Sequence, residues 1–258
     1  MTESFGTLLK HWRGQRRMSQ LELGLSANVS ARHISFLESG RSRPSHSMVI
    51  QLSETLNVPR NNRNTLLNAA GFAQAYTARD LDDEELRFVR EAMDWTLDRH
   101  CPYPAIAFDR HWTLVRMNAV SEALLGNLGL QVGDSLLDAF VDNGPFATAL
   151  ENRDEIASHL VTRLRTESAF YGGDEVLDAA AERLAASLDG EPAASDAPPA
   201  IIPARYVAGD ITLSLFTTIS QFGSTEDIAL ADLKIELMFP ADDFTRDALT
   251  ARFNALAN

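Results

Sequence analysis

Residues 18–44 read MSQLELGLSANVSARHISFLESGRSRP, and the order of caps, turn residues and apolar positions in this stretch decides the N-terminal fold. Ser19 supplies an N-cap oxygen and Glu22 follows at the capping-box interval, so a helix starts at Gln20. Leu21, Leu23, Gly24 and Leu25 are expected on its inner side. Gly24 falls where a second helix would cross closely, and a Cβ there would push the two apart. Asn28 tolerates the left-handed backbone of a tight turn. Ser30 caps a second helix, with Ile34 and Leu37 facing inward. Gly40 suits the position just past its end, and Pro44 bars continuation. Ala31, Arg32, His33, Ser35 and Phe36 remain on the outer or N-terminal part of that helix, followed by Arg41 and Arg43. Two short helices about a tight turn, with a basic wing, read as a helix-turn-helix, the smallest device that places side chains in a DNA major groove.

Outward from this stretch, Phe5, Leu8, Leu9 and Trp12 make an apolar stripe for a first helix. Met48, Leu52, Leu56 and Val58 mark a fourth, and Leu66, Leu67 and Ala70 a fifth. Gln20, Val29-Ser30, Ile34-Ser35, Leu37 to Arg41 and Pro44 together resemble the XRE/Cro–repressor family over roughly Ser4–Phe72. The resemblance implies a five-helix, lambda-repressor-like DNA-binding domain over residues 1–75. Its alternative is a generic helical bundle packed on the rest of the protein.

The expected roles follow from position. Arg32 is the best candidate for a bidentate contact to guanine. His33, Ser35 and Ala31 are placed for base edges or thymine methyls. Gln20 and Ser30, with their helix N-termini, and Arg41 and Arg43 from the wing are placed for phosphates. Each has a plainer alternative: Phe36 covers the junction with helix four, His33 is a solvated surface residue, and Arg16 and Arg17 complement the C-terminal dipole of helix one.

The charge distribution agrees with this division. The chain of 258 residues has a formal net charge of −13, which by itself argues against a nucleic-acid binder. Residues 1–75, however, hold nine Lys or Arg against four acids, a net of +5, while the remainder holds 14 against 32, a net of −18. A basic head neutralises phosphates, and an acidic body discourages indiscriminate coating of DNA.

The length suffices for two domains. No apolar run approaches the ~20 residues that span a bilayer, and the N-terminus lacks a signal-peptide pattern. With Cys101 as its single cysteine, the chain forms no internal disulfide or cysteine-based metal site. A cytoplasmic protein without membrane association is expected. There is no nucleophile elbow, phosphate-cradling loop or pair of metal ligands at helical spacing, so no catalytic residue, metal or required cofactor is expected. The pair His100 and Cys101 is a sequence neighbourhood only.

Beyond residue 75, a connecting segment spans 76–101. A helix is expected from Asp82, capped by it with Glu85 three residues later, and striped by Leu86, Val89, Met93 and Leu97. It either connects domains or serves dimerisation. From Pro104 the period alternates: Ala105–Phe108 and Trp112–Met117 read as a hairpin around Asp109-Arg110. Helical signals resume at Ala119–Leu128, with Gly172-Gly173-Asp174 separating two later helices. Residues 189–200, DGEPAASDAPPA, read as a linker. Ile201–Val207 and Ile211–Ser220 then flank a turn, and Leu233, Ile235, Leu237 and Phe239 alternate with Lys234, Glu236 and Met238. That alternation predicts an antiparallel sheet with one buried face. A final helix covers Asp243–Leu256.

Two strands, several helices and three strands is the order of a PAS domain. Pro104 to Phe108, Trp112 to Leu114, Met117-Asn118, Leu164 to Glu167, Gly209 and Leu213 to Phe216 also resemble the MmyB-like ligand-binding domain found behind XRE-type modules of bacterial regulators. The resemblance implies an α+β chain, with a PAS-like, five-stranded antiparallel domain over 102–258 and a pocket for a fatty acyl or other apolar effector. Within it, Trp112, Phe140 and Phe216 line a pocket or fill a core. Asn118 binds a polar head group or caps the next helix, and Arg205 meets a carboxylate ligand or decorates a sheet edge.

The function expected is therefore a bacterial, sequence-specific transcription regulator. It binds double-stranded DNA as a homodimer, and its C-terminal domain senses a small molecule and dimerises. The rival is a partner-controlled repressor or antitoxin whose C-terminal domain is a ligand-free protein-interaction module.

Overall fold

A computed structural model describes residues 3–142, 144–188, 201–223 and 227–256. The linker expected at 189–200 lies outside the described residues. The chain divides into two compact units.

The first unit contains α1 (Phe5–Gln15), α2 (Gln20–Ser26), α3 (Ala31–Glu38), α4 (His46–Thr55) and α5 (Arg60–Ala69). Ser4, Ser19, Ser30 and Ser45 each cap the helix that follows by accepting a backbone N–H, and Ser19 with Glu22 completes a reciprocal capping box. Phe5, Leu9, Trp12, Leu23, Ile34, Leu37, Leu52, Leu66 and Leu67 make one buried cluster. Residues 166–175 belong to this unit. Gly172 lies against Trp12, its φ is +80°, and a Cβ there would come within 2.6 Å of the indole.

The inner side of α2 is narrower than its leucine content suggests. Leu23 and Gly24 are buried, but Leu21 and Leu25 are 59% and 73% exposed. At 100° per residue, Leu21 and Leu25 share the stripe opposite the one that Leu23 occupies.

In the second unit a 3-10 turn, Glu84–Leu86, leads into α6 (Arg87–Arg99). The helix therefore starts later than the acidic run predicts. Asp82 does not cap it, because the 3-10 turn has Asp83 and α6 has Leu86 at the capping position; the Asp82 carboxylate instead lies 3.2 Å from the Arg116 guanidinium. There follow β1 (Ala105–Phe108), β2 (Leu114–Met117), α7 (Ala119–Gly126), α8 (Leu136–Val141), α9 (Pro145–Ala149), α10 (Arg153–Phe170, whose last residues from 166 on belong to the first unit) and α11 (Glu175–Ala186). The chain then continues through β3 (Ala204–Ala208), β4 (Ile211–Gln221), α12 (Ile228–Asp232), β5 (Lys234–Pro240) and α13 (Asp243–Leu256).

Among the described residues the strands form one antiparallel sheet in the order β2-β1-β5-β4-β3. The last strand is thus central: Leu237 of β5 faces Ala105 on one side and Thr218 on the other. This explains why its sequence misleads. An edge or surface strand would turn its polar alternate residues to water, but both faces of β5 are covered. Ile235 packs with Ala105 and Ala107 against Met93 and Leu97 of α6. Lys234, Glu236 and Met238 take the other face, where Lys234 is only 4% exposed and Glu236 and Met238 line a cavity. The expectation of one buried face is corrected accordingly.

Candidate nucleic-acid interface and ligand cavity

The geometry of α2 and α3 is fixed by backbone contacts. Gly24 lets the turn close, since a Cβ there would stand 2.6 Å from the Val29 carbonyl oxygen. Asn28 takes φ +52° and Gly40 φ +72°, the left-handed positions that the turn and the helix end require. Behind α3, Glu38 receives Arg13 through two hydrogen bonds, of 2.6 and 3.0 Å, and Gln20 through a third of 2.8 Å. The Glu38 hydrogen bonds raise the Arg13 guanidinium above its ordinary value. This buttress locks the start of α2 to the end of α3. Sequence reasoning did not find it, because the partners are 25 and 18 residues apart.

In front of α3, Ser30, Arg32, Arg41 and Arg43 are exposed, while Ala31, His33, Ser35 and Phe36 are half-buried. The Arg32 guanidinium lies 5.2 Å from the centre of the Phe36 ring, one turn on, so the two form one projecting unit. Gln20 differs from its expected role in that its amide is already engaged by Glu38.

The second unit holds a cavity of about 220 Å³ between the sheet and α7 to α10. Trp112, Leu136, Phe140 and Phe146 contribute apolar wall, and His159 and Arg163 of α10 join Tyr206 and Glu236 of the sheet as its polar groups. A second cavity of about 440 Å³ shares Leu125, Tyr206, Leu215 and Met238 with the first and is bounded further out by Leu213 and Arg252. Burial, and then the Glu236 carboxylate, push the Tyr206 phenol well above its usual range, so it remains a neutral donor.

Trp112 is the most constrained wall residue. The hairpin places it in the turn, before β2, with φ +64°. The Asp109 carboxylate accepts the backbone N–H groups of His111 and Thr113, each at 2.9 Å, which holds the turn in that conformation. The Trp112 ring then packs 5.0 Å from Phe108, with the Arg163 guanidinium 4.3 Å from its centre.

Of the five residues expected to bind ligand, Trp112 and Phe140 meet at this cavity. The other three lie outside its lining. Asn118 is wholly occupied: it caps α7 through Ser121, accepts from Ala105, and donates to Leu97 and Tyr103. Arg205 lies 3.7 Å from Glu151. Phe216 stacks on Phe239 at 5.5 Å, and both belong to the alternate set of sheet positions facing away from the cavity. His159 and Arg163 were missed, although a signal existed. They fall within the apolar stripe of Ile156 and Leu160 on α10, where polar residues interrupt an otherwise inward face.

Among the described residues, no helix is long and apolar enough to cross a membrane, and no group of three His, Cys, Asp or Glu is placed to hold a metal ion. The helix-turn-helix family matches residues 9–61, and the MmyB-like transcription regulator ligand binding domain family matches residues 89–251. No curated protein matches the chain. Among solved structures, the PAS domain from Bordetella pertussis BvgS aligns at 13% identity, covering 68% of this chain and 98% of that one, with a TM-score of 0.29. At that score the likeness carries no argument about this chain. With more than half its length matched by one family and a helix-turn-helix ahead of it, the chain belongs to the MmyB-like transcription regulators: DNA-binding proteins that carry a ligand-binding domain.

Proposed function

We propose that this regulator reads a two-fold operator as a homodimer in the cytoplasm, and that an amphipathic small molecule with an anionic end sets its affinity for that operator. A fatty acyl compound is the class that fits. The observation carrying the reading is the composition of the cavity: aromatic and aliphatic wall with His159 and Arg163 one turn apart on α10. Apolar surface there takes the chain of the ligand, and the guanidinium takes its charged end. Glu236 in the same wall opposes a second anion and so favours one head group over two. Together the two cavities fall within the range of roughly 300–1,000 Å³ usual for such sites.

At the DNA, the projecting Arg32–Phe36 unit is assigned to base edges, with Arg32 on guanine and His33, Ser35 and Ala31 beside it. Ser30, Arg41 and Arg43 are assigned to phosphates. Gln20 reaches a phosphate only if it leaves Glu38. An effector coupling of about 1–3 kcal/mol is ordinary for such a switch.

Native mass spectrometry of freshly purified protein tests the sensor. A co-purifying small mass, lost in Arg163→Met, supports it; a stoichiometric polypeptide in its place supports a partner-controlled repressor instead. Mobility-shift titration on the chain's own promoter region tests the reader. Arg32→Ala is expected to relax preference at one base pair in each half-site, and unchanged preference removes Arg32 from the readout.

A further inference from the structure

We propose that the outer face of α6 is where two copies of this chain meet, antiparallel across a two-fold axis that passes between Glu91 and Ala92. The proposal rests on the dimeric half of the reading above and goes beyond it by naming the face and its register.

The inner face of α6 is spent on the sheet, through Met93 and Leu97. Its outer face carries two large aromatics seven residues apart, Phe88 at 71% and Trp95 at 63% exposure. Seven residues are two turns, so both rings stand on one stripe, about 10 Å apart along the axis. Ala92 lies between them and leaves a shallow saddle. Each ring is attended by a cation: the Arg87 guanidinium lies 4.1 Å from the centre of Phe88, and that of Arg99 lies 5.7 Å from Trp95. Aromatic and Arg side chains in this arrangement are those that anchor interfaces.

A second copy of the same helix fits this surface. Rotation about the proposed axis sets Phe88 beside Trp95 of the other copy and Trp95 beside its Phe88, while the two alanines allow the helices to approach. The charges choose the direction. Glu84 and Glu85, paired within their own chain to Arg87 at 3.2 Å and to Arg79 at 2.7 Å, stand at the start of the exposed stripe, and Arg99 beside Asp98 stands at its end. Antiparallel pairing brings Glu84 of each copy to Arg99 of the other, whereas parallel pairing sets Glu84 on Glu84 and Arg99 on Arg99. Near the axis Glu91 is already neutralised by Arg87 of its own helix, at 2.7 Å. Four aromatic side chains, each able to bury roughly 150–250 Å², suffice for the centre of an interface of ordinary size, about 1,600 Å².

Sedimentation velocity of the full chain is expected to show a dimer that Phe88→Glu or Trp95→Glu converts to monomer, with helical content unchanged because both side chains are exposed in the single chain, and with Tm lowered only by the loss of dimer linkage. Cysteine pairing tests the register in a Cys101→Ser background. Ala92→Cys is expected to cross-link to itself under mild oxidation, whereas Phe88→Cys cross-links only when mixed with Trp95→Cys. A dimer indifferent to Trp95→Glu overturns the surface alone. Self-pairing of Phe88→Cys overturns the antiparallel register. A wild-type chain that stays monomeric overturns the surface together with the dimeric half of the proposed function, and leaves operator reading to be judged by the mobility shift.

Discussion

The two units of this protein spend their apolar residues differently. In the N-terminal unit, leucines from α1 to α5 meet in one cluster, and the polar work of the helix-turn-helix is done outside it. In the C-terminal unit the centre of the sheet, β1 and β5, is covered on both sides, yet on one side the cover stops short and leaves a cavity into which Glu236, Tyr206, His159 and Arg163 are drawn. A DNA reader needs a rigid platform, so close packing serves it. A sensor needs room for its ligand, and the stability given up in leaving a hollow is returned only when that ligand fills it. The contrast extends to the caps. Ser30 makes one exposed hydrogen bond, whereas buried Asn118 joins α6, β1 and α7.

The sharpest test of this contrast compares two core leucines. Leu37→Ala, in the closed cluster, is expected to lower the stability of its unit by about 2–5 kcal/mol, while Leu136→Ala, which already faces the hollow, stays near the lower end of that range. Equal losses by urea denaturation would break the comparison. The caps come next. Asn118→Ala strands several buried backbone groups and is expected to cost about 3 kcal/mol or more, whereas Ser30→Ala costs about 1 kcal/mol. Gly24→Ala follows, at about 1–3 kcal/mol, because the new methyl meets a backbone oxygen that has no rotamer to change. The same change at Gly14, where nothing lies within 4 Å, is expected to be harmless or mildly stabilising.

The smallest effect is one of pH. Hydrogen bonds from the Ser19 backbone and then its side chain hold the Glu22 carboxylate below its ordinary value. A depressed folded value means that its contribution is complete above the ordinary carboxylate range, and is lost as pH falls through the folded value. Glu22→Gln should therefore flatten the acid limb of Tm against pH, and an unchanged limb would remove the capping box from the account.

Legibility followed the range of the interactions. Ser19, Glu22, Asn28, Ser30 and Gly40 act within a turn of their own position, so the helix-turn-helix was readable without tertiary information. The alternation of β4 and β5 was also readable, and so were the bounds of α13 and the break between α10 and α11. Trp112 was expected within a strand and lies in a left-handed turn, because the Asp109 carboxylate accepts the N–H groups two and four residues ahead of it and β2 starts two residues later than the apolar pattern suggests. Phe216, read as lining a pocket or filling a core, lies in the right strand, but strand parity turns it to the face opposite the cavity.

Sequence by itself determined where α1 to α5, β1, β4, β5 and α13 lie, which serines cap the helices of the N-terminal unit, and that a basic N-terminal head precedes an acidic body, since each of these depends on neighbours a few residues apart. Only the tertiary structure decided that β5 is central, that its polar residues look into a cavity, that Glu38 joins Arg13 to Gln20, and that Phe88 and Trp95 are left outside. These are outcomes of pairing between distant segments, where a side chain's surroundings depend on which strand or helix arrives beside it, and no local pattern encodes that arrival.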